Sequence, residues 1–383
     1  MAGAHAFLMP SAAARWGVCA LSAALEAAYP EAEESPESLE GTAAHWVVEC
    51  YLKGSPPALD SQAPNGVAVT QEMVEGAELV VKTIEATLGS RWREMLVIER
   101  RVQIPRIHPT HCWGTPDYYA WAVFPDGRRF LFLFDYKFGH GIVEVVENDQ
   151  LVAYVSGIFT EAGIDGVSDQ QTVVAMCIIQ PRAYHREGPV RWWKVRGSDL
   201  RGQVNILHSQ AELATRPNPP AKPDPDACKN CKGRHACEAL QRAAYLAADK
   251  AQQATAIDLS PLALGIELRA LTRAQKLLEA RVSGLEAQAV AEIKRGKLVP
   301  YWMMESVPGR LDWNKPDAEV IMLGQIYGID IARPPGPVTP TQAKAKGLPA
   351  KLVDAYASRP PGAAKLTYDD GTKARLTFSS GNT

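Results

Sequence analysis

Cys228, Cys231 and Cys237 stand in the spacing C-x2-C-x5-C, and Cys19 lies alone far upstream. A set of four thiolates is enough to hold a zinc ion or an iron–sulfur cluster. Between Cys19 and the triplet lie Asp117, in Trp113-Gly114-Thr115-Pro116-Asp117, and the run Asp135-Tyr136-Lys137. Two carboxylates brought together repel unless a cation sits between them. Mg2+ or Mn2+ is the natural occupant, with water and phosphate completing its shell. A lysine beside such an ion can orient or deprotonate a water and offset charge on a phosphoryl group. The chain therefore presents two inorganic sites, one of structural type and one of catalytic type. The plainer alternative for Asp117, Asp135 and Lys137 is a surface ion pair at two strand ends.

Other residues can join either set. His45 could complete the cation site, which would favour Mn2+ over Mg2+, or serve as a hydrogen-bonded core histidine. Glu49 follows His45 by one helical turn, where it can steady the imidazole or remain solvated. Gln150 and Tyr154 are also one turn apart; they could meet a scissile phosphate or a DNA end, or simply belong to an amphipathic helix. His235, inside the cysteine triplet, could replace Cys19 in a local Cys3His zinc site. Cys50, Cys112 and Cys177 lie in apolar contexts and read as buried small hydrophobes.

The elements that must position these residues follow from hydrophobic period and turn chemistry. Helices are expected over Ser11–Ala28, with Ser11 as N-cap, from Ser38 through Glu49, and over Thr70–Leu88. Strands are expected over Met95–Ile104, Cys112–Phe124 and Arg129–Tyr136, the last two joined by the turn Pro125-Asp126-Gly127. Residues two apart on a strand share a face, so Asp135 and Lys137 would look into one pocket, with Asp117 beside them through hairpin pairing. A helix over Glu147–Ala162, a buried strand over Thr172–Gln180, a strand over Val190–Val195 and a helix over Gly197–Ala214 follow. The proline-rich stretch Pro217–Pro225 reads as a stiff lead into the cysteines. Beyond it, Ala239–Gln253 and the long, heptad-like Ser260–Lys294 are expected to be helical. A helix near Lys315–Tyr327 and a terminal hairpin at Asp370-Gly371 close the chain.

The chain has 383 residues, 46% of them hydrophobic, which supports two or three domains with a proper core. The net charge of −2 gives no global basic signature, so nucleic acid would have to be met by a local patch or through metal ions. Basic groups stand at Arg91, Arg93, Arg100, Arg101 and Arg106, and at Arg182, His185, Arg186 and Arg191 beside Trp192 and Trp193. Along the long helix, Arg269, Arg273, Lys276 and Arg281 could follow a phosphate backbone or serve packing. Seven cysteines, an odd number, argue against a complete disulfide framework and for reduced thiols in the cytoplasm. No signal peptide, membrane span or P-loop is expected.

The order GTAAH (41–45), GTPD (114–117), DYK (135–137), Q-x3-Y (150–154) and C-x2-C-x5-C resembles the RecB-like branch of the PD-(D/E)XK nucleases. The pairing of Cys19 with the late triplet is similar to its iron–sulfur, AddB-type members, and the whole chain is similar to phage-encoded nucleases of recombination gene clusters. The resemblance implies an α/β fold: a restriction-endonuclease-like core with a central mixed sheet flanked by helices, plus a mainly helical C-terminal extension. It implies a nuclease domain over 1–240 closed by the four-cysteine cluster, a long helical segment over 241–297 and a small α+β extension over 298–383. His45, Asp117, Asp135 and the Tyr136 carbonyl would hold Mg2+ or Mn2+, with Lys137 as the catalytic lysine and Gln150 and Tyr154 as the motif on the next helix. Cys19, Cys228, Cys231 and Cys237 would hold a [4Fe–4S] cluster, with Zn2+ as the alternative. The implied activity is a metal-dependent DNA exonuclease in the host cytoplasm, working in phage recombination or replication with DNA and a single-strand-binding or annealing protein as partners, and no membrane. A silent iron–sulfur DNA-binding or assembly scaffold is the non-enzymatic alternative, and an RNA-processing nuclease a further one.

Overall fold

The computed structural model describes residues 6–29, 35–123, 128–165, 169–251, 258–308, 312–333, 336–358 and 361–368. The turn expected at Pro125-Asp126-Gly127 and the hairpin expected at Asp370-Gly371 lie outside the described residues. The chain divides into two compact units, Met1–Gly284 and Leu285–Thr383.

The N-terminal segment is not the single helix expected over Ser11–Ala28. It forms a 3-10 turn at Pro10–Ala12, then α1 (Ala13–Trp16) and α2 (Leu21–Ala28). Gly17 and β-branched Val18, both poor helix formers, sit at the break, and Cys19 is thereby left outside a helix. Helix α3 (Pro36–Leu52) starts slightly earlier than expected, because Ser35 caps it with its hydroxyl on the Ser38 N–H (3.2 Å) and Pro36 opens the first turn. In α4 (Gln71–Leu88), Thr70 caps the start through the Met73 N–H. Gly89, at φ 79°, closes its end, where a left-handed residue costs glycine nothing.

Two of the expected strands are interrupted. From the first, β1 (Leu96–Ile98) joins the main sheet, while Val102–Gln103 pairs with Trp113–Gly114 in a separate two-stranded ribbon. Glu99, at φ 45°, makes the break. The second strand resumes as β2 (Tyr118–Val123) after Pro116, which has no N–H for a ladder. Then come β3 (Arg129–Tyr136), α5 (Asp149–Glu161), β4 (Thr172–Ile179), β5 (Val190–Arg196), a 3-10 turn and α6 (Arg201–Ala214). The five strands form one mixed sheet in chain order. Only β3 and β4 run parallel, joined by the crossover through α5; β1/β2, β2/β3 and β4/β5 are antiparallel.

Strand alternation divides the core between the two faces of this sheet. Leu131, Leu133, Val174, Met176 and Ile178 pack with α5, α6 and the N-terminal segment. Tyr118, Phe134, Tyr136, Cys177 and Ile179 pack with α3 and α4. Helices α7 (Pro225–Lys229), α8 (Glu238–Ala251) and α9 (Pro261–Lys294) follow.

The second unit has its own small core of Val320, Leu323, Ile331, Val338, Ala343, Leu348 and Val353. It combines short helices with two-stranded ribbons, the longest pairing Trp302–Pro308 with Pro361–Tyr368. No helix among the described residues is long and apolar enough to cross a membrane.

Candidate functional site

The last turns of the β2/β3 pairing bring the acidic residues together. Tyr118 pairs with Phe134, so Asp117 falls level with the end of β3, where its Oδ2 accepts the Tyr136 N–H at 2.8 Å. Asp135 is the penultimate residue of β3 and is 1% exposed. Lys137 follows on the same face; its own N–H donates to the Ile179 carbonyl at 2.9 Å, which continues the β3/β4 ladder by one residue. Its ammonium donates to Asp135 Oδ1 at 3.1 Å and lies 2.9 Å from Oδ2. Gln150 braces both groups: its amide donates to Asp135 Oδ1 at 3.1 Å, and its carbonyl accepts from Lys137 at 3.4 Å. Asn148 fixes this brace by capping α5 through the Gln150 and Leu151 N–H groups. Tyr154, one turn on, has its phenol within hydrogen-bond reach of Gln150.

His45 reaches the pocket from α3, with Nδ1 at 3.8 Å from Asp117 Oδ2 and its ring edge-on to Tyr136. Glu49 is ion-paired with Lys53, one turn further along α3. Each residue of the expected cation site is thus delivered to the same end of the sheet. Glu99 is an arrival that sequence reading missed. Its N–H donates to the Asp117 carbonyl at 2.8 Å; burial, then Glu49 and Asp117, raise its carboxyl pKa. His45, Trp46, Glu49 and Glu99 line one cleft. The antiparallel register Ile98↔Tyr118 is the signal that sets Glu99 beside Asp117, and no single-strand pattern contains it.

The electrostatics follow from burial. Desolvation raises the Asp135 carboxyl to about 6 against the lowering effect of Lys137, and the Asp117 charge adds to the rise. Burial works against the Lys137 ammonium, but Asp135 and Asp117 outweigh it, so its pKa stands above the ordinary lysine value. Burial, then Asp117 and Asp135, keep the Tyr154 phenol protonated far above neutrality. Asp135 Oδ2 is buried and, despite the ammonium charge beside it, accepts no well-directed hydrogen bond. An anionic oxygen in that state has room in its chemistry for a cation.

The loop after Lys137 is pinned from beneath. Gln180 donates to the Gly139 and Gly141 carbonyls at 2.9 and 2.7 Å, while Arg191 donates to Val143 O at 2.8 Å and to Gln180 Oε1 at 2.9 Å. Arg191 is therefore a buried structural residue and not part of an exposed basic path. Arg182 is likewise engaged, by Glu40, Glu72 and the Phe138 ring, and Trp192 packs edge-on against Phe134. Arg100 and Arg106 pair with Glu161 and Asp165, and Arg101 lies over the Trp113 ring.

The fold also gathers the four cysteines. Cys19, Cys228, Cys231 and Cys237 are all buried and free of disulfides. The Cys19 sulfur accepts the Lys222 N–H at 3.3 Å, and the Cys237 sulfur accepts the Leu240 N–H at 3.4 Å. Burial first, then the nearby Cys19 and Cys237 sulfurs, raise the Cys228 thiol pKa; burial and Glu26 push Cys231 up to about 12. Arg15 grips Glu26 through two hydrogen bonds (2.7 and 3.0 Å), and Glu26 accepts the Lys232 N–H. His235 packs its ring edge-on against Tyr29. A Cβ on Gly233 would lie 2.7 Å from Leu25, so only glycine allows the cysteine loop to rest on α2. The backbone N–H groups aimed at sulfur suit thiolates that hold a metal or cluster. As the side chains stand, no trio of His, Cys, Asp or Glu among the described residues is close enough to enclose an ion at either place.

A family model described as a protein of unknown function, DUF2800, matches residues 5–325, and the chain belongs to that family.

Proposed function

We propose that this member of the DUF2800 family is a divalent-metal-dependent DNA nuclease with a restriction-endonuclease-like core, acting as an exonuclease on DNA ends. The observation that carries the reading is the buried Asp135–Lys137–Gln150 brace at the end of β3, with Asp117 level with it and His45 across from it. The element order, helices then three strands, a crossover helix and a parallel fourth strand, supports the core assignment. So does the RecB-like order of motifs running through the same residues.

His45, Asp117, Asp135 and the Tyr136 carbonyl would hold Mg2+ or Mn2+, which when bound supplies Lewis-acid polarisation of a phosphodiester. Lys137 stays protonated under the influence of both aspartates, so its task is to present positive charge where the phosphoryl group becomes more negative. Gln150 sets the angle of that ammonium relative to Asp135. Tyr154 contributes a neutral phenol that can donate to a phosphate oxygen. Cys19, Cys228, Cys231 and Cys237 would hold a [4Fe–4S] cluster, tying the N-terminal segment to the end of the core; zinc is the other species their thiolates accept.

The test is to incubate the purified protein with linear and circular DNA, with and without Mn2+. Linear DNA is expected to be degraded only with the ion, and Asp135→Ala is expected to stop it. Degradation that persists in Asp135→Ala, or no degradation by the native protein, would overturn the reading. Iron and zinc analysis, with a broad absorption at about 400 nm for the cluster, identifies the occupant of the cysteines.

A further inference from the structure

Among the described residues, α9 is buried on one side of its middle, while Leu262 and Ile266 on that side near its start are 76% and 62% exposed. Leu277, Ala280 and Gly284 are buried, Leu277 and Ala280 against Cys228, Cys237 and Leu240. A Cβ on Gly284 would lie 3.0 Å from the His235 backbone, so the helix crosses the cysteine loop at close range. On this side Arg273 donates to Pro223 O at 2.7 Å and Arg281 donates to His235 O. Neither arginine is left to follow a phosphate backbone.

The opposite side carries Leu264, Leu268, Leu271, Gln275, Leu278 and Val282, separated alternately by four and three residues. That alternation is the a/d seam of a coiled coil, with leucine at every d position (Leu264, Leu271 and Leu278). The same spacing continues to Leu285 in the sequence. Leu264, Leu268, Leu271 and Val282 are 47%, 57%, 51% and 50% exposed. Half-exposed leucines in a strict heptad are not a solvated face.

We propose that α9 pairs in parallel with α9 of a second copy of this chain. The seam selects its own copy as occupant. In a parallel, in-register pair each leucine layer meets leucine, and Gln275 meets Gln275, whose amides can hydrogen-bond each other; any other register buries that amide against hydrocarbon. Flanking charges agree, since Glu267 then faces Thr272 and Glu279 faces Ala274, with no like charges opposed. From Pro261 to Gly284 the helix is about 36 Å long. Half the lateral surface of such a rod, about 11 Å across, is about 600 Å2, so the pair hides about 1,200 Å2 in total, the lower edge of a stable interface. The pair therefore assembles and dissociates with concentration.

Sedimentation velocity of the full chain over about 1 to 100 µM tests this. A reversible monomer–dimer equilibrium is expected. Leu268→Glu combined with Leu271→Glu should hold the protein monomeric, with unchanged thermal unfolding and unchanged iron or zinc content. Gln275→Leu should tighten association about tenfold or more, and it needs no destabilising charge, so it decides the matter if the double variant folds poorly. A monomer at every concentration, a dimer untouched by either change, or association only with a different protein would overturn the proposal.

Discussion

The carboxylate–lysine pocket and the cysteine module are assembled by opposite routes. Apart from His45 and Glu99, the pocket takes its residues from one stretch, Asp117 to Tyr154, and strand register alone sets Asp117 level with Asp135. The module closes a much longer path: the Lys222 N–H meets the Cys19 sulfur across 203 positions of sequence. Local pairing thus builds the carboxylate–lysine pocket, while long-range closure builds the cysteine module. Each should be breakable without the other.

The largest effect should come from Lys137→Ala. Loss of its charge is expected to lower Mn2+-dependent DNA cleavage by about 100-fold or more, while iron or zinc content stays at the native level. Cleavage unchanged by this substitution would show that the pocket is only an ion pair. The reciprocal change, Cys19→Ser, is expected to remove on the order of 4 to 5 kcal/mol of stability, by analogy with opening a long cross-linked loop. Urea unfolding measures it, and Cys112→Ser, in a buried thiol apart from the module, should leave metal content unchanged.

Gly114→Ala sharpens the comparison from the pocket's side, because its neighbours are a pocket residue and the N-terminal 3-10 turn. Its new Cβ would lie 2.8 Å from the Tyr154 ring and 2.9 Å from Pro10. Shifting them should cost about 1 to 3 kcal/mol and slow cleavage, with Tyr154→Phe showing how much of the slowing is due to the phenol. The smallest effect is one of pH. Burial raises the Asp135 carboxyl in the folded protein to about 6, above the ordinary carboxylate range. In the metal-free protein its contribution to stability is therefore present below pH 4 and lost as pH rises through 6. Under the proposed metal assignment, Mn2+ binding displaces the same proton, so the rise in melting temperature on adding Mn2+ should be full above pH 7 and fade below pH 6. A rise independent of pH, or retained in Asp135→Asn, would place the ion elsewhere.

Much of this was legible along the chain. Strand β3 and helices α4, α5 and α9 lie within a few residues of the positions that period and capping residues indicate, because each is long and strongly patterned. The interrupted elements were not legible. The breaks at Gly17 to Cys19 and at Glu99 answer to what the flanking segments pack against, and a window of sequence contains no record of that. Basic residues were the least informative, since an arginine in sequence looks the same whether it faces solvent or, like Arg191, is buried beneath a loop.

The sequence by itself determined which donors this protein owns and the order in which they come, because thiols, carboxylates and a lysine carry their chemistry wherever they are placed. Only the tertiary structure decided that Glu99 stands with Asp117, that Cys19 is brought to Cys228, and that Leu277 and Ala280 of α9 are buried while Leu264, Leu268 and Leu271 are left exposed. Those outcomes depend on register and on contacts between distant segments, whose energies exist only once the chain has closed on itself.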